Sequence, residues 1–202
     1  MPISRSEEDE LPGMKPEIRG INVETTAIAG CVEVHQPIHH DTRGWFTKSL
    51  SDSVRESTQI DFTATEIYWS LSKRGVVRGM HFQVPPVSVS KLVWVASGSI
   101  RDVVLDLRTD SATYSKWVDF ELDPESGSVL VPHGCAHGFE VTSEEAIVFY
   151  AQDGPFSPEC DAGVRWDSFG YQWLSPEPVM SDRDRGLPAL GDFVSPFVQG
   201  QQ

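Results

Sequence analysis

Histidine is the side chain best suited to proton transfer near neutral pH, because an imidazole titrates there. The chain has 202 residues and six histidines, and three of these, His81, His133 and His137, lie in two segments that also contain glycine. His81 lies in RGMHFQ (residues 78–83), and His137 lies in PHGCAHGF (residues 132–139). A histidine in such a segment can serve either acid–base catalysis or metal binding, and its neighbours must decide between the two.

The segment that ends at His137 has the Pro-x-Gly-x-x-His form of the second motif of cupins, in which a tight turn delivers a histidine into a β-barrel. The first motif of metal-binding cupins supplies His-x-His and then a carboxylate. Here that motif reads His81-Phe82-Gln83, and no Glu follows within the next dozen residues. Because a histidine with a glutamine is a poor ligand set for a divalent ion, the sequence predicts no catalytic metal.

Short β-strands must position these histidines. Partial two-residue alternation and regular turn signals predict strands at residues 91–96, 100–107, 117–122, 129–132 and 146–150. One short helix is predicted around residues 51–58. The strands favour an antiparallel sandwich or barrel. Together with the resemblance of the His137 segment to the second cupin motif, the expected fold is all-β, a cupin-like jelly-roll barrel or sandwich with short peripheral helices. Neither GxGxxG nor GxxxxGK[ST] occurs, which excludes the usual dinucleotide and P-loop signatures.

Composition restricts the partners. The chain carries 30 acidic and 16 basic side chains, a net charge of −14, so a nucleic-acid backbone would repel it. No apolar stretch approaches the roughly 18–20 residues of a membrane span. Three cysteines form no CxxC pair, and the N-terminus lacks the apolar core of a secretory signal, which together predict a soluble cytoplasmic protein. Residues 1–20 are expected to be a flexible acidic leader, and residues 21–195 a single domain.

Several separated motifs, in order, resemble the dTDP-4-dehydrorhamnose 3,5-epimerase family of nucleotide-linked 4-keto-6-deoxysugar epimerases. They are DTRGWF (41–46), GVVRGMHFQ (75–83) with Pro85-Pro86 and KLV (91–93), DVVLDLR (102–108), PHGCAHGF (132–139), GVRWD (163–167) and SDRD (181–184) with Pro188 and Leu190. The resemblance covers about residues 21–190. It implies an epimerase of deoxysugar biosynthesis that uses neither a metal nor an organic cofactor.

The resemblance also implies a mechanism. The carbonyl at C4 of the sugar acidifies the hydrogens at C3 and C5, so a base can remove one and an acid on the opposite face can return a proton. His81 would be the base, and Asp184 would hold its imidazole in the required tautomer. Lys91 would stabilise the enolate oxygen, unless it is only a surface lysine of its strand. Tyr150 matches a family tyrosine and is the candidate acid.

Substrate binding is assigned by the same resemblance. Arg43 and Arg78 would meet the pyrophosphate, although Arg78 could simply pair with a carboxylate. His137 would line the sugar pocket or serve as a structural turn residue, and Gln83 is a further candidate for substrate contact. Family members dimerise by lending an N-terminal strand to the partner. In such a homodimer Arg43 and Phe46 would serve the neighbouring site.

Four positions depart from the family pattern. Phe156 replaces a tyrosine that is the family's proposed general acid, which makes double epimerisation doubtful and favours a single-centre enzyme. Lys48 replaces a glutamate thought to contact the nucleotide base; its ammonium would suit the acceptors of cytosine, unless the side chain simply points to solvent on an edge strand. Glu66 and Tyr68 replace amide side chains, and Tyr68 is either a relocated proton donor or ordinary strand variation.

The predicted function is therefore epimerisation of a dTDP- or CDP-linked 4-keto-6-deoxyhexose at C3, C5 or both. Three alternatives remain open at this stage. A catalytically degenerate nucleotide-sugar-binding protein would explain the departures at Phe156, Glu66 and Lys48, but would not require His81, Lys91 and Asp184. A metal-dependent cupin oxygenase lacks its expected ligands. A related isomerase would move the keto group instead of inverting a centre.

Overall fold

The computed structural model describes residues 20–58 and 62–198. The predicted leader therefore lies outside the described residues, except for Gly20, which is exposed. No helix in the described part of the chain is long and apolar enough to cross a membrane. The three cysteines are buried and do not form disulfides.

Two antiparallel sheets pack face to face. The larger sheet contains, in spatial order, β1 (Asn22–Thr25), β2 (Val32–His35), β10 (Ser128–Val131), β7 (Lys91–Ser97), β12 (Glu145–Gln152) and β5 (Glu66–Lys73). The smaller sheet contains β13 (Asp161–Gly163), β6 (Val77–Gln83), β11 (Cys135–Val141), β8 (Ile100–Asp106) and β9 (Trp117–Leu122). A separate hairpin consists of β3 (His39–Asp41) and β4 (Gly44–Phe46). The predicted all-β, cupin-like jelly-roll fold is confirmed.

Residue alternation along the strands builds the core between the sheets. Val93 and Val148 of the larger sheet pack in one cluster with Val104 and Phe139 of the smaller sheet. Leu92, the neighbour of Val93, faces the other side and packs in the cluster that includes α1. Side chains on the inner faces are therefore brought together across the sandwich, whereas their sequence neighbours are directed away from it.

Two short α-helices flank the sheets. The predicted helix is present as α1 (Asp52–Thr58). The second helix, α2 (Asp182–Arg185), was not expected. The Oγ atom of Ser181 accepts a hydrogen bond from the Asp184 backbone N–H at 3.1 Å, and Gly186 ends the helix. A serine followed three residues later by an acidic residue is a recognisable helix start, so a signal for α2 is present in the sequence.

An irregularity at Gly79 directs two functional side chains to the same face. Along β6, His81 pairs with His137 but Arg78 pairs with Phe139, so the register shifts between them. Gly79 has a φ of +126°, and a Cβ atom there would lie 2.5 Å from the Cα of Gly138. Glycine is required at this point because its backbone conformation is unfavourable for other residues and the neighbouring strand leaves no space.

Candidate active site

A histidine and a buried carboxylate form the centre of the site. His81 lies on the inner face of β6, and its Nε2 atom donates to Oδ1 of Asp184 at 2.8 Å. The second oxygen of Asp184 accepts the Gly79 backbone N–H at 3.3 Å. Burial alone would raise the pKa of Asp184, but the hydrogen bond and charge of His81 hold that pKa below its usual value. The charged carboxylate fixes the imidazole so that Nδ1 is the nitrogen able to take a proton.

A second histidine–aspartate pair lies beside the first. His137, the cross-strand neighbour of His81, donates from Nε2 to Oδ1 of Asp102 at 2.6 Å, and both side chains are buried. The other oxygen of Asp102 has no hydrogen-bond partner within the described residues. The sequence analysis assigned no role to Asp102. Its signal was a charged residue directly before the apolar run Val103-Val104-Leu105, where a buried carboxylate requires a partner.

Two stacked tyrosines line the larger sheet opposite these histidines. The rings of Tyr150 and Tyr68 stack with centroids 4.9 Å apart, and Tyr150 lies edge-on to His137 at 6.0 Å. The Tyr150 hydroxyl lies 3.4 Å from Oγ of Ser70. Burial raises the pKa of Tyr150 and, together with the charge of Glu66, raises the pKa of Tyr68 to about 12. Both hydroxyls therefore remain protonated near neutral pH and can donate.

Lys91 begins β7 on the same inner face. It is directly opposite Gln152 of β12, two positions along the strand pair from Val93 and Tyr150. Burial lowers its pKa to about 8, and the nearby carboxylate of Asp161 offsets only part of that effect. A cation with this pKa is charged at neutral pH but poorly solvated, so it would interact strongly with an anion that forms beside it.

The loop after β12 connects three of the departures from the family pattern. The Phe156 backbone N–H donates to Oε1 of Glu66 at 3.2 Å. Gln152, which is buried, donates to Oε2 of Glu66 at 3.1 Å and accepts from the Tyr68 hydroxyl at 3.1 Å. Glu66, Tyr68 and Phe156 are therefore joined through Gln152, a residue that the sequence analysis did not select. The Phe156 ring itself is 55% exposed.

Gln83 is buried and fastens the same loop from the smaller sheet. Its Oε1 atom accepts the Ser157 backbone N–H at 2.8 Å. Its Nε2 atom donates to the carbonyl oxygens of Val87, at 2.8 Å, and of Pro155, at 3.2 Å. The hydrogen bonds of Gln83 are thus made to the backbone of the protein, in the loops that border the site.

Arg78 also reaches the cleft between the sheets. Its Nε atom donates to Oγ of Ser72 on β5 at 2.9 Å, which spans from the smaller sheet to the larger one. The side chain is exposed and its hydrogen bonds go to Ser72 and the Leu71 carbonyl. The alternative in which Arg78 pairs with a carboxylate is not seen among the described residues.

Three predicted residues lie elsewhere. Arg43 and Phe46 belong to the β3–β4 hairpin and Lys48 follows it, and all three side chains are exposed. Arg43 forms an ion pair with Asp41 of the same hairpin. Trp45 of this hairpin lines a cleft of about 200 Å³ with Trp94 and other residues of β7. Because Trp94 faces away from the sandwich interior, the hairpin lies on the opposite side of the larger sheet from His81.

Together these residues can move a proton between two faces of a bound molecule. A base held by a carboxylate stands on one sheet, two protonated tyrosines stand on the other, and a lysine able to stabilise an anion borders them. The histidines of this site form no cluster of three metal-ligating groups among the described residues. The fold and the site thus define a cupin-like protein with an acid–base centre of the isomerase type.

Known proteins match this chain closely. The sequence profile described as dTDP-4-dehydrorhamnose 3,5-epimerase matches residues 25–192. The dTDP-4-dehydrorhamnose 3,5-epimerase of Sinorhizobium fredii is 37% identical over 162 residues, which cover 78% of this chain and 83% of the relative. The crystal structure of a dTDP-4-dehydrorhamnose 3,5-epimerase from Bacillus anthracis, with TDP and PPi bound, superposes with a TM-score of 0.81 at 34% sequence identity. The superposition covers 85% of this chain and 100% of the Bacillus chain. A variant of a 3'-monoepimerase from Streptomyces bikiniensis, in complex with dTDP, superposes with a TM-score of 0.78 at 26% sequence identity. The superposition covers 83% of this chain and 87% of the Streptomyces chain.

This chain belongs to the dTDP-4-dehydrorhamnose 3,5-epimerase family. It is a carbohydrate epimerase, as the resemblance of its motifs predicted.

Proposed function

We propose that the protein inverts a single centre, C3 or C5, of a nucleotide-linked 4-keto-6-deoxyhexose, with His81 as base and Tyr150 as acid. The observation that carries the proposal is the position of these two residues on facing sheets. His81 is held by Asp184 at 2.8 Å, and Tyr150 lies edge-on to His137, the direct neighbour of His81. A base and an acid on opposite sides of one cleft are what inversion of a carbon centre requires.

The reaction follows from the chemistry of the ketone. His81 takes the proton from the carbon next to C4, and the electrons of that C–H bond form a C=C bond while the carbonyl π electrons move to O4. The Lys91 ammonium stabilises the resulting enolate oxygen. The enolate then collapses to the ketone as the Tyr150 hydroxyl gives its proton to the opposite face of the carbon. The phenolate regains a proton from solvent, and His81 releases its own.

Inversion of only one centre is supported by Phe156. This ring occupies the position at which the family resemblance places a general acid, and it has no hydroxyl to donate. Glu66 holds the backbone of Phe156 at 3.2 Å, so the loop is fastened to the edge strand of the site although the acid is missing. The ring can still stack on substrate, which leaves binding in place while proton return at a second carbon is lost.

The substrate is held by cations near the cleft and by a second copy of the chain. Arg78 and His137 contact the pyrophosphate and the sugar from within one chain. Arg43 and Phe46 lie across the larger sheet from His81, so they reach a substrate only if the hairpin enters the site of a partner. A homodimer is therefore part of the proposal, and the exposure of all six residues of β3 and β4 supports it.

The nucleotide is dTDP or CDP. The ligand TDP in the solved relative from Bacillus anthracis supports dTDP. Lys48 supports CDP or a relaxed preference, because an ammonium can donate to the N3 and O2 acceptors of cytosine. Calorimetric titration with dTDP and CDP distinguishes the two. Clearly tighter binding of dTDP rejects the role of Lys48 in selecting cytosine.

Proton NMR in D2O tests the function directly. The protein is offered dTDP- and CDP-4-keto-6-deoxyglucose in turn, with the His81→Asn variant as control. We expect loss of one of the C3 and C5 proton signals and new couplings for one inverted centre, with no change in the control. Inversion of both centres would reject the single-centre proposal. Absence of exchange with both substrates would instead support the nucleotide-sugar-binding protein.

The Phe156→Tyr variant tests the reason given for single-centre inversion. Restoring the hydroxyl is expected to add inversion at the second carbon, whereas Phe156→Leu should leave one centre inverted. If Phe156→Tyr inverts the same single centre as the wild type, the missing hydroxyl is not what limits the reaction.

A further inference from the structure

Two carboxylates and an imidazole converge on the paired strands β1 and β2, away from the histidines of the active site. Glu24 lies directly opposite Glu33 in the register of the two strands, and Asn22 lies opposite His35. One ligand atom from each of Glu24, Glu33 and His35 lies within 4.8 Å of the others. The Nε2 atom of His35 is 3.7 Å from an oxygen of Glu24 and 3.7 Å from an oxygen of Glu33.

A contact outside this trio sets the orientation of the imidazole. Nδ1 of His35 lies 3.0 Å from the backbone carbonyl oxygen of Ser126. A carbonyl oxygen only accepts, so Nδ1 is the ring nitrogen that donates here. Nε2 is the nitrogen that faces the two carboxylates, and it can bind a metal ion once it carries no proton. A histidine whose remote nitrogen donates to a backbone carbonyl is the usual arrangement of a metal-binding imidazole.

Glu33 and Glu24 place two negative charges close together, and a cation bound between them would reduce their repulsion. Glu33 pairs with Val129, a core residue, so its side chain is on the inward face of the sheet and is 23% exposed. Like charges directly opposite each other on antiparallel strands are destabilising. The described residues supply one further donor here, from Asn22 to Glu24 at 3.2 Å.

We propose that Glu24, Glu33 and His35 bind a divalent transition-metal ion, zinc being the best match, which fastens β1 to β2. Two ligand atoms about 2.1 Å from a tetrahedral zinc ion are about 3.4 Å apart. The 3.7 Å separations in this trio therefore need only a small closure. Water completes the coordination. An imidazole ligand favours zinc over magnesium or calcium, which prefer oxygen ligands alone.

This site is independent of the proposed epimerase reaction. In the larger sheet β10 lies between β2 and β7, the strand of Lys91. No residue of the trio contacts His81, Asp184 or Tyr150 through a hydrogen bond or ion pair described for this structure. The ion is therefore expected to stabilise the strand pair and to leave epimerisation unchanged.

Calorimetric titration of the untagged, chelator-treated full chain with zinc chloride tests the proposal. We expect one ion per chain and a higher melting temperature with zinc. Cobalt chloride should bind with the visible absorption of four- or five-coordinate Co²⁺. His35→Gln and Glu33→Gln should each weaken zinc binding by at least about tenfold, since each removes one of three ligands. His39→Gln, an exposed histidine of the β3–β4 hairpin, should not change it.

Glu33→Gln also keeps the test informative if His35→Gln destabilises the chain. It removes a like-charge pair, so the metal-free variant should melt at or above the temperature of the metal-free wild type. Absence of saturable zinc binding by the wild type would overturn the proposal. Equal binding by Glu33→Gln and the wild type would do so as well, because the ion would then be held elsewhere on the surface.

Discussion

Asp184 and His81 are 103 positions apart in the chain, yet their side chains meet at 2.8 Å. The contact depends on two local features, the short helix that carries Asp184 and the irregular backbone at Gly79. The backbone N–H of Gly79 and the hydrogen bond of Ser181 at the start of α2 orient the carboxylate toward the imidazole. In the proposed mechanism, the charge of Asp184 holds and polarises the His81 ring that takes the proton.

Asp184→Asn is expected to lower the rate of deuterium incorporation into substrate by about 10²- to 10⁴-fold, because a neutral amide neither stabilises the imidazolium nor enforces the tautomer. The NMR assay in D2O measures it. Asp182→Asn, an exposed position of the same helix, is the matched control and should be near wild type. Equal rates in the two variants would remove Asp184 from the mechanism.

Lys91 should determine the alkaline limb of the pH profile. Its pKa is lowered to about 8, so the ammonium is present below that pH and is lost above it. If the ammonium stabilises the enolate, kcat/KM falls as the pH rises through about 8. Lys91→Arg keeps a cation at every accessible pH and should shift this limb upward, even where its maximal rate is lower. An alkaline limb that stays in place in Lys91→Arg would assign it to another group.

At the scale of elements, β6 and β11 are the strands on which the site depends. Their pairing places His81 beside His137, and the close approach of Gly79 to Gly138 allows the backbone to shift register between Arg78 and His81. The loop after β12 is fastened from both sheets, by Glu66 on one side and by Gln83 on the other. The two sheets therefore cooperate to fix one loop at the mouth of the cleft.

Gly79→Ala should destabilise the fold. The backbone conformation alone costs about 1–3 kcal/mol for a residue with a Cβ atom, and the clash with Gly138 adds to it. Urea unfolding followed by fluorescence measures the free energy of unfolding. Gly191→Ala, where no atom lies within 4 Å of the added Cβ, is the control and should change little. An equally stable Gly79→Ala variant would show that β6 and β11 can separate without loss.

At the scale of the whole molecule, the edge of the larger sheet carries an exposed apolar stripe. Ile67, Trp69 and Leu71 alternate along the outer face of β5, with exposed fractions of 55%, 66% and 57%. Trp69 stacks on Phe149, so the stripe continues onto the next strand. A patch of this kind on an edge strand marks an interaction surface. In the homodimer proposed above, a second copy of this chain would cover the stripe, and it would also explain why Arg43 and Phe46 lie outside their own site.

Trp69→Glu is expected to convert a dimer into a monomer, because a charge would be buried in the apolar contact. Light scattering coupled to size-exclusion chromatography measures the mass of the wild type and the variant. Leu174→Glu, at a residue that is 60% exposed and belongs to neither strand, is the control and should remain dimeric. A monomeric wild type would reject both the dimer and the role of Arg43 and Phe46 in a neighbouring site.

The negative net charge of the whole molecule opposes the binding of an anionic substrate. The chain carries −14, yet its proposed substrate is a diphosphate, so positive charge must be concentrated where the ligand binds. In the proposed reaction, Arg78 and Lys91 would supply this positive charge from within one chain. Arg43 and Lys48 would supply the rest only from a partner.

Local sequence patterns were sufficient for α1 and for five strands, β7 to β10 and β12, because alternation and turn residues depend on near neighbours. The other eight described strands were not delimited by these patterns. The motifs around His81 and Asp184 were sufficient for the family. The role of Gln83 in holding a loop, the partnership of Asp102 with His137, and the network from Tyr68 through Gln152 to Phe156 were decided by the tertiary structure. These contacts join residues far apart in the chain, and the packing of two sheets, not any local propensity, brings such side chains within hydrogen-bonding distance.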